Sequence, residues 1–172
     1  MAKSEFETLL NDYAQTVIER AQSNLRIKRR VRGKTVNRVA TGNLLNSLTY
    51  KARIRYNKPT VDFTVKGDAG KYADVIEFGR KPNSKMPPVS AIEQWIRIKP
   101  LKLRNRQGEF IKSTESAIKS AAIAIAKSIG ENGIVGIHYY AEAIDDTWDE
   151  YQDKLMDAFV KDVENRLLLN KR

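Results

Sequence analysis

The chain has 172 residues, with 31 Lys and Arg against 21 Asp and Glu, one His and no Cys, for a formal net charge of +10. That length suits one domain with room for a buried core. Zero cysteine excludes a disulfide scaffold, a zinc ribbon and thiol catalysis, and the lone His138 excludes a multi-histidine metal site. The longest apolar run, Ala121 to Ala126, is far short of the roughly 20 residues a membrane helix needs. Met1 to Glu7 holds no apolar signal-peptide core, so a cytosol-like compartment and no membrane partner are expected.

The charge is polarised along the chain. Residues 1–66 carry 14 basic and 5 acidic side chains, residues 67–136 carry 12 and 7, and residues 137–172 carry 5 and 9. No acidic residue lies between Glu19 and Asp62. A single-sign block of this length repels itself unless an acidic surface or a polyanion neutralises it.

In chain order, Ser4 with Glu7 forms a capping box. It opens a helix of about 25 residues striped by Phe6, Leu9, Leu10, Tyr13, Val17, Ala21 and Leu25. Residues 28–40 read as a basic loop broken at Gly33. Thr41 or Asn43 caps a short helix bearing Leu44, Leu45 and Leu48. The period then switches to two. Leu48, Tyr50, Ala52, Ile54 and Tyr56 alternate with Thr49, Lys51, Arg53 and Arg55. A turn is expected at Asn57-Lys58-Pro59-Thr60, followed by a second strand through Val61, Phe63 and Val65. Tyr72 to Phe78 reads as a third strand, or a short turn leading into one, closing a sheet over about 48–79.

Pro87-Pro88 starts a helix with Val89, Ile92, Trp95 and Ile96 on its apolar face, stopped by Pro100. A second basic loop spans about 99–112, with Lys102, Arg104 and Arg106. Ser113 is placed to cap the next helix, and Gly130 to end it in left-handed conformation, in a loop marked by Gly130, Gly133 and Gly136. The last helix covers about 141–169, with Ile144, Trp148, Tyr151, Leu155, Phe159, Val163 and Leu167 as its stripe. Its outer face carries Asp145, Asp146, Asp149, Glu150, Asp153, Asp157 and Asp162. The fold class is α+β, a small antiparallel sheet with helices before and after it, in a single domain over residues 1–172.

No enzyme class gains support. Gly33-Lys34-Thr35 resembles the tail of a P-loop, but Lys28 stands where its first glycine belongs and no apolar strand precedes it. Gly130, Gly133 and Gly136 follow a helix rather than a strand, so they are not a dinucleotide fingerprint. His138 has no serine in a nucleophile elbow to serve. The 145–153 carboxylates read as the wet face of an amphipathic helix rather than a metal site. No cofactor is expected.

Four segments together resemble a known family. They are Ala40-Thr41-Gly42-Asn43-Leu44-Leu45-Asn46-Ser47-Leu48, Tyr72-Ala73-Asp74-Val75-Ile76-Glu77-Phe78-Gly79, Pro87 to Ile96, and Ala124 to Ile129 followed by Gly133-Ile134. In order and spacing they resemble the tail-completion, minor tail-component and head–tail joining proteins of tailed bacteriophages. Arg80 and a longer basic loop follow Gly79 where many members have threonine, and the later segment Gly136-Ile137-His138-Tyr139-Tyr140 lacks the family's proline. The resemblance implies a virion protein made in a bacterial cytoplasm. It would be a ring-forming subunit at the head–tail junction, meeting connector, portal adaptor, tail tube or sheath, with packaged double-stranded DNA passing through. It brings no catalytic residues. Gly42, Leu44, Ser47, Tyr72, Glu77, Phe78, Gly79, Pro88 and Trp95 come over as scaffold.

Ring neighbours meet through non-identical patches. The expected basic contacts, to a neighbour or to DNA, are Arg26, Lys28, Arg29, Arg30, Arg32, Lys34, Arg38, Lys51, Arg53 and Arg55. The expected acidic patch is Asp145, Asp146, Asp149, Glu150 and Asp153. Lys51, Arg53 and Arg55 form a row about 14 Å long, able to follow phosphates without reading bases. The competing function is a sequence-independent nucleic-acid-binding protein, supported by a pI near 9.8.

Overall fold

The structure is a computed structural model, and it describes residues 4–31, 34–36, 41–55, 58–99, 101–105 and 107–169. Helix α1 runs Glu5–Arg26, with Ser4 Oγ accepting the Glu7 N–H at 3.1 Å as the capping box predicts. Helix α6 runs Tyr139–Leu169 antiparallel to it. Phe6 meets Phe159 edge-on at 5.3 Å near one end, and the Asn24 side chain donates to the Tyr139 carbonyl at the other. The two helices approach through small residues: Ala14, Val17 and Ala21 of α1 and Ala143, Thr147 and Ala158 of α6 are essentially fully buried. The Thr147 hydroxyl is satisfied one turn back, donating to the Ala143 carbonyl at 2.6 Å.

The expected α6 stripe packs on the core through Ile144, Tyr151, Leu155 and Phe159, but not at every position. The predicted stripe puts Trp148 inward, yet it is 48% exposed, and Leu167 is 60% exposed. Thr147 takes the central position because the Ala14–Ala21 face has no room for an indole. Trp148 sits on the flank, edge-on to Tyr13 at 6.1 Å.

Strands β3 (Leu48–Arg55) and β4 (Lys58–Val65) form an antiparallel hairpin with Leu48 opposite Val65 and Arg55 opposite Lys58. Tyr50, Ala52, Ile54, Val61, Phe63 and Val65 pack on the α1–α6 core, as the period of two requires. The turn is tighter than expected: Lys58 and Pro59 already belong to β4, with Pro59 paired to Ile54. Proline is tolerated there because each strand of a two-stranded sheet is an edge. Helix α2 (Asn43–Ser47) buries Leu44 and Leu45 under this core.

Further expectations are corrected. Residues 28–40 are not a plain loop: β1 (Arg29–Val31) and β2 (Lys34–Val36) pair antiparallel, with Val31 opposite Lys34. Tyr72 to Phe78 is not a strand: a 3₁₀ turn (Gly67–Ala69) leads into helix α3 (Gly70–Glu77). Ala73 and Glu77, one turn apart, form its buried side, a period of four that so short a segment conceals. The sheet therefore ends at Val65, and β5 (Gly79–Arg80) pairs instead with β6 (Ile134–Val135).

Helix α4 (Val89–Ile98) starts after Pro88 as expected. Helix α5 (Glu115–Asn132) is capped by Thr114 rather than Ser113, and it runs through buried Gly130 to end at Gly133, φ 67°. Gly130 is closely packed: an added Cβ would lie 3.0 Å from Met86 Cγ and 3.1 Å from the Ser84 carbonyl oxygen. Helices α4 and α5 share a second, smaller apolar cluster of Ile96, Leu103, Ile118 and Ala122.

Candidate subunit interface

The scaffold motif gains a physical account. Glu77 is 5% exposed, and its two carboxylate oxygens accept the Tyr140 N–H at 2.9 Å and the Ala141 N–H at 3.0 Å. It thus caps the first turn of α6 from 63 residues away. A carboxylate there satisfies otherwise orphaned donors and faces the positive end of the helix dipole. The same segment holds the chain crossing by its backbone, with Ile137 N–H on the Ile76 carbonyl and His138 N–H on the Glu77 carbonyl, both at 3.0 Å. Gly79, φ 79°, continues this contact, since a Cβ on it would lie 2.5 Å from Gly136 N.

Elsewhere in the motif set, Gly42 (φ 80°) precedes α2, Leu44 is buried, and the Ser47 hydroxyl donates to Asn43 Oδ1 at 3.4 Å. Pro88 accepts the Ala91 N–H at 3.1 Å, and Trp95 is partly exposed with Lys99 Nζ 5.9 Å from its ring centroid. Tyr72 is exposed, and Phe78 is 70% exposed. Phe78 sits on the lip of a cavity of about 520 Å³ with Phe63, Ala73, Asp74, Glu77 and Tyr140. Burial pushes the Tyr140 phenol up to about 12 and raises Tyr139 as well, with the Glu77 charge adding to both. Both phenols are therefore protonated at neutral pH, and Tyr140 Oη donates to the Thr64 carbonyl at 3.1 Å.

The expected basic residues divide into three groups. Arg29 lies against Glu142 of α6 in two hydrogen bonds, one of them 3.0 Å, and Arg53 pairs with Asp62 across the hairpin. Arg20 of the same basic block pairs with Glu150, one of the five expected acidic contacts. Arg29, Arg53 and Glu150 thus have partners within their own chain. Arg26, Lys28, Arg30, Lys51 and Arg55 are exposed. Lys34 lies in β2, whereas Arg32 and Arg38 fall outside the described residues. Asp145, Asp146, Asp149 and Asp153 are exposed on α6.

The sequence reading missed Glu142, and the spacing held a signal for it: Glu142, Asp146 and Glu150 recur one turn apart on α6. The Arg29 guanidinium holds the Glu142 carboxyl below its ordinary value of 4.5. A depressed folded pKa stabilises the fold above that value, and the contribution is lost as pH falls through the folded value. The Glu142 side chain is 42% exposed, so the pair contributes only about 0.5 kcal/mol. Glu142→Gln should accordingly flatten the fall in urea-unfolding free energy below pH 4.5; superimposable acid limbs for wild type and variant would show that the pair does nothing.

Among the described residues, no helix is long and apolar enough to cross a membrane, and no three carboxylate or histidine side chains are grouped to hold a metal ion. No protein-family model, curated protein or solved structure matches the chain.

Proposed function

We propose that this protein is a ring-forming structural subunit of a tailed bacteriophage virion, stationed at the head–tail junction around the DNA channel. One observation carries the reading: the subunit exposes two faces of opposite sign on different elements. The hairpin packs one side on the core, so Lys51 and Arg55 are exposed on the other, with Arg53 between them paired to Asp62. The exposed side of α6 carries Asp145, Asp146, Asp149 and Asp153. Non-identical, complementary patches are what head-to-tail closure into a ring uses. The four sequence segments support the same reading, and the buried Glu77 cap gives one of them a reason within the fold. In this reading the partners are further copies of the chain and the adjoining connector and tail proteins.

The second reading, sequence-independent nucleic-acid binding, is favoured by Lys51, Arg55 and Lys58, which stay exposed along the hairpin. The two separate in one series. Light scattering at rising protein concentration should show a closed oligomer that dissociates in 0.5 M salt and in the triple variant D145K/D149K/D153K. A monomer at every concentration that shifts duplex DNA, with affinity falling steeply in salt, would replace the ring with the second reading. Preference for a discrete DNA sequence would overturn both.

A further inference from the structure

We propose that the α4–α5 loop, through residues 101–105 and 107–111, docks onto the acidic, Trp148-centred face of α6 on a second copy of this chain. The inference rests on the ring reading and names its contact surface.

The loop is built rather than slack. Arg97 at the end of α4 and Glu115 at the start of α5 close its base in two hydrogen bonds of 2.7 and 2.5 Å. Leu103 is buried in the small α4–α5 cluster and anchors one limb. Arg104 and Phe110 form an antiparallel bridge, and Ile111 N–H donates to the Leu103 carbonyl at 3.0 Å. Asn105 holds the tip, its Oδ1 accepting the Glu109 N–H at 2.9 Å. Met86 sits beside Gly130 at the opposite end of the helix pair, where β5 and β6 join the arm to the rest of the chain. The tip therefore lies at the far end of the helix pair from that joint.

What the tip presents is cationic and aromatic. Phe110 is 60% exposed, with the Arg104 guanidinium 4.1 Å and Lys102 Nζ 5.7 Å from its ring centroid, and Ile111 beside it is 40% exposed. In contrast to the α1–β3 basic block, these cations have no carboxylate partner among the described residues. The α6 face offers the complement. Trp148 is 48% exposed, between Asp145 one turn before it and Asp149 next to it. Phe110 and Trp148 are both exposed in a single chain, so neither covers the other.

Charge opposite charge and ring opposite ring give the two surfaces a common register. Duplex DNA fits the tip less well: its backbone pairs with cations but leaves an exposed phenyl ring and an isoleucine wet. The contact joins two different surfaces, so it propagates head to tail, as a ring needs.

The absence of cysteine makes the test clean. Gln107 at the tip and Gln152, one turn beyond Trp148, are exposed and carry none of the contacts above. Gln107→Cys and Gln152→Cys proteins, mixed under mild oxidation, should give a disulfide-linked pair. Neither variant alone should. Linkage within either variant alone would mean a symmetric contact and overturn the proposal. Oligomers by light scattering without 107–152 linkage would overturn this contact while leaving the ring reading standing; a monomer throughout would remove the ring reading itself. As a second arm, K102E/R104E and D145K/D149K should each lose self-association, and their mixture should regain linkage between the cysteine sites. If K102E/R104E instead abolishes retention of duplex DNA while the oligomer persists, the tip serves nucleic acid and the proposal is wrong.

Discussion

Glu77→Ala should lower the unfolding free energy by about 3 kcal/mol, with the helical signal of α6 lost first. The substitution leaves the Tyr140 and Ala141 N–H groups without their acceptor at a buried helix start, where Glu77 is 5% exposed. An unpaired buried donor costs about 1–3 kcal/mol, and the lost charge at the helix N-terminus adds up to about 2 kcal/mol. At this chain length such a loss lowers Tm by roughly 6–12 °C. Glu77→Gln keeps one acceptor oxygen without the charge and should cost about half as much. Urea unfolding followed by circular dichroism gives the comparison; an Ala variant within 0.5 kcal/mol of wild type would mean that water replaces the cap and that Glu77 is not what fixes α6 to α3.

The second large effect is at the crossing beneath that cap. A Cβ on Gly136 would stand 2.6 Å from the Phe78 carbonyl carbon and 2.8 Å from Gly79 N, and one on Gly79 would stand 2.5 Å from Gly136 N. The obstructing atoms are backbone, so no rotamer change relieves them. Gly79 also has φ 79°, a conformation side chains disfavour by about 1–2 kcal/mol. Gly136→Ala and Gly79→Ala should therefore force β5 and β6 apart and cost upwards of about 3 kcal/mol, seen as loss of soluble, cooperatively melting protein. Gly108→Ala is the control. Its φ is 85°, but nothing lies within 4 Å of the added carbon, so it isolates the conformational cost of about 1 kcal/mol. Equal stability losses at 108 and 136 would show that steric contact at the crossing is unimportant.

The two effects share a cause that explains how the sequence can be read. Glu77, Gly79 and Gly136 lie up to 59 positions apart, and each is ordinary in its own neighbourhood. Local periodicity names α1, α4, α5, α6 and the β3–β4 hairpin because each buries one stripe, and a stripe repeats every two or every three to four residues. It fails at 72–78, where the buried stripe has only two members, Ala73 and Glu77. It fails at 29–36 too, and at Gly130, where a C-cap glycine and a close-packed helical glycine look alike.

Charge shows the same division. Composition and order along the chain dictate a basic front, an acidic last helix and the absence of cysteine. Which charges meet is a tertiary matter. Antiparallel packing of α1 on α6 lays Arg20 beside Glu150, β1 following α1 brings Arg29 beside Glu142, and hairpin register lays Arg53 beside Asp62. These pairings leave Asp145, Asp149 and Trp148 outward and set the cations around Phe110 on an arm of their own. Side-chain identity and spacing reveal stripes and signs within one element. The partners of each stripe and sign follow from how elements of different length and bulk fit together, here from the small Ala14–Ala21 face that admits Thr147 and turns Trp148 aside.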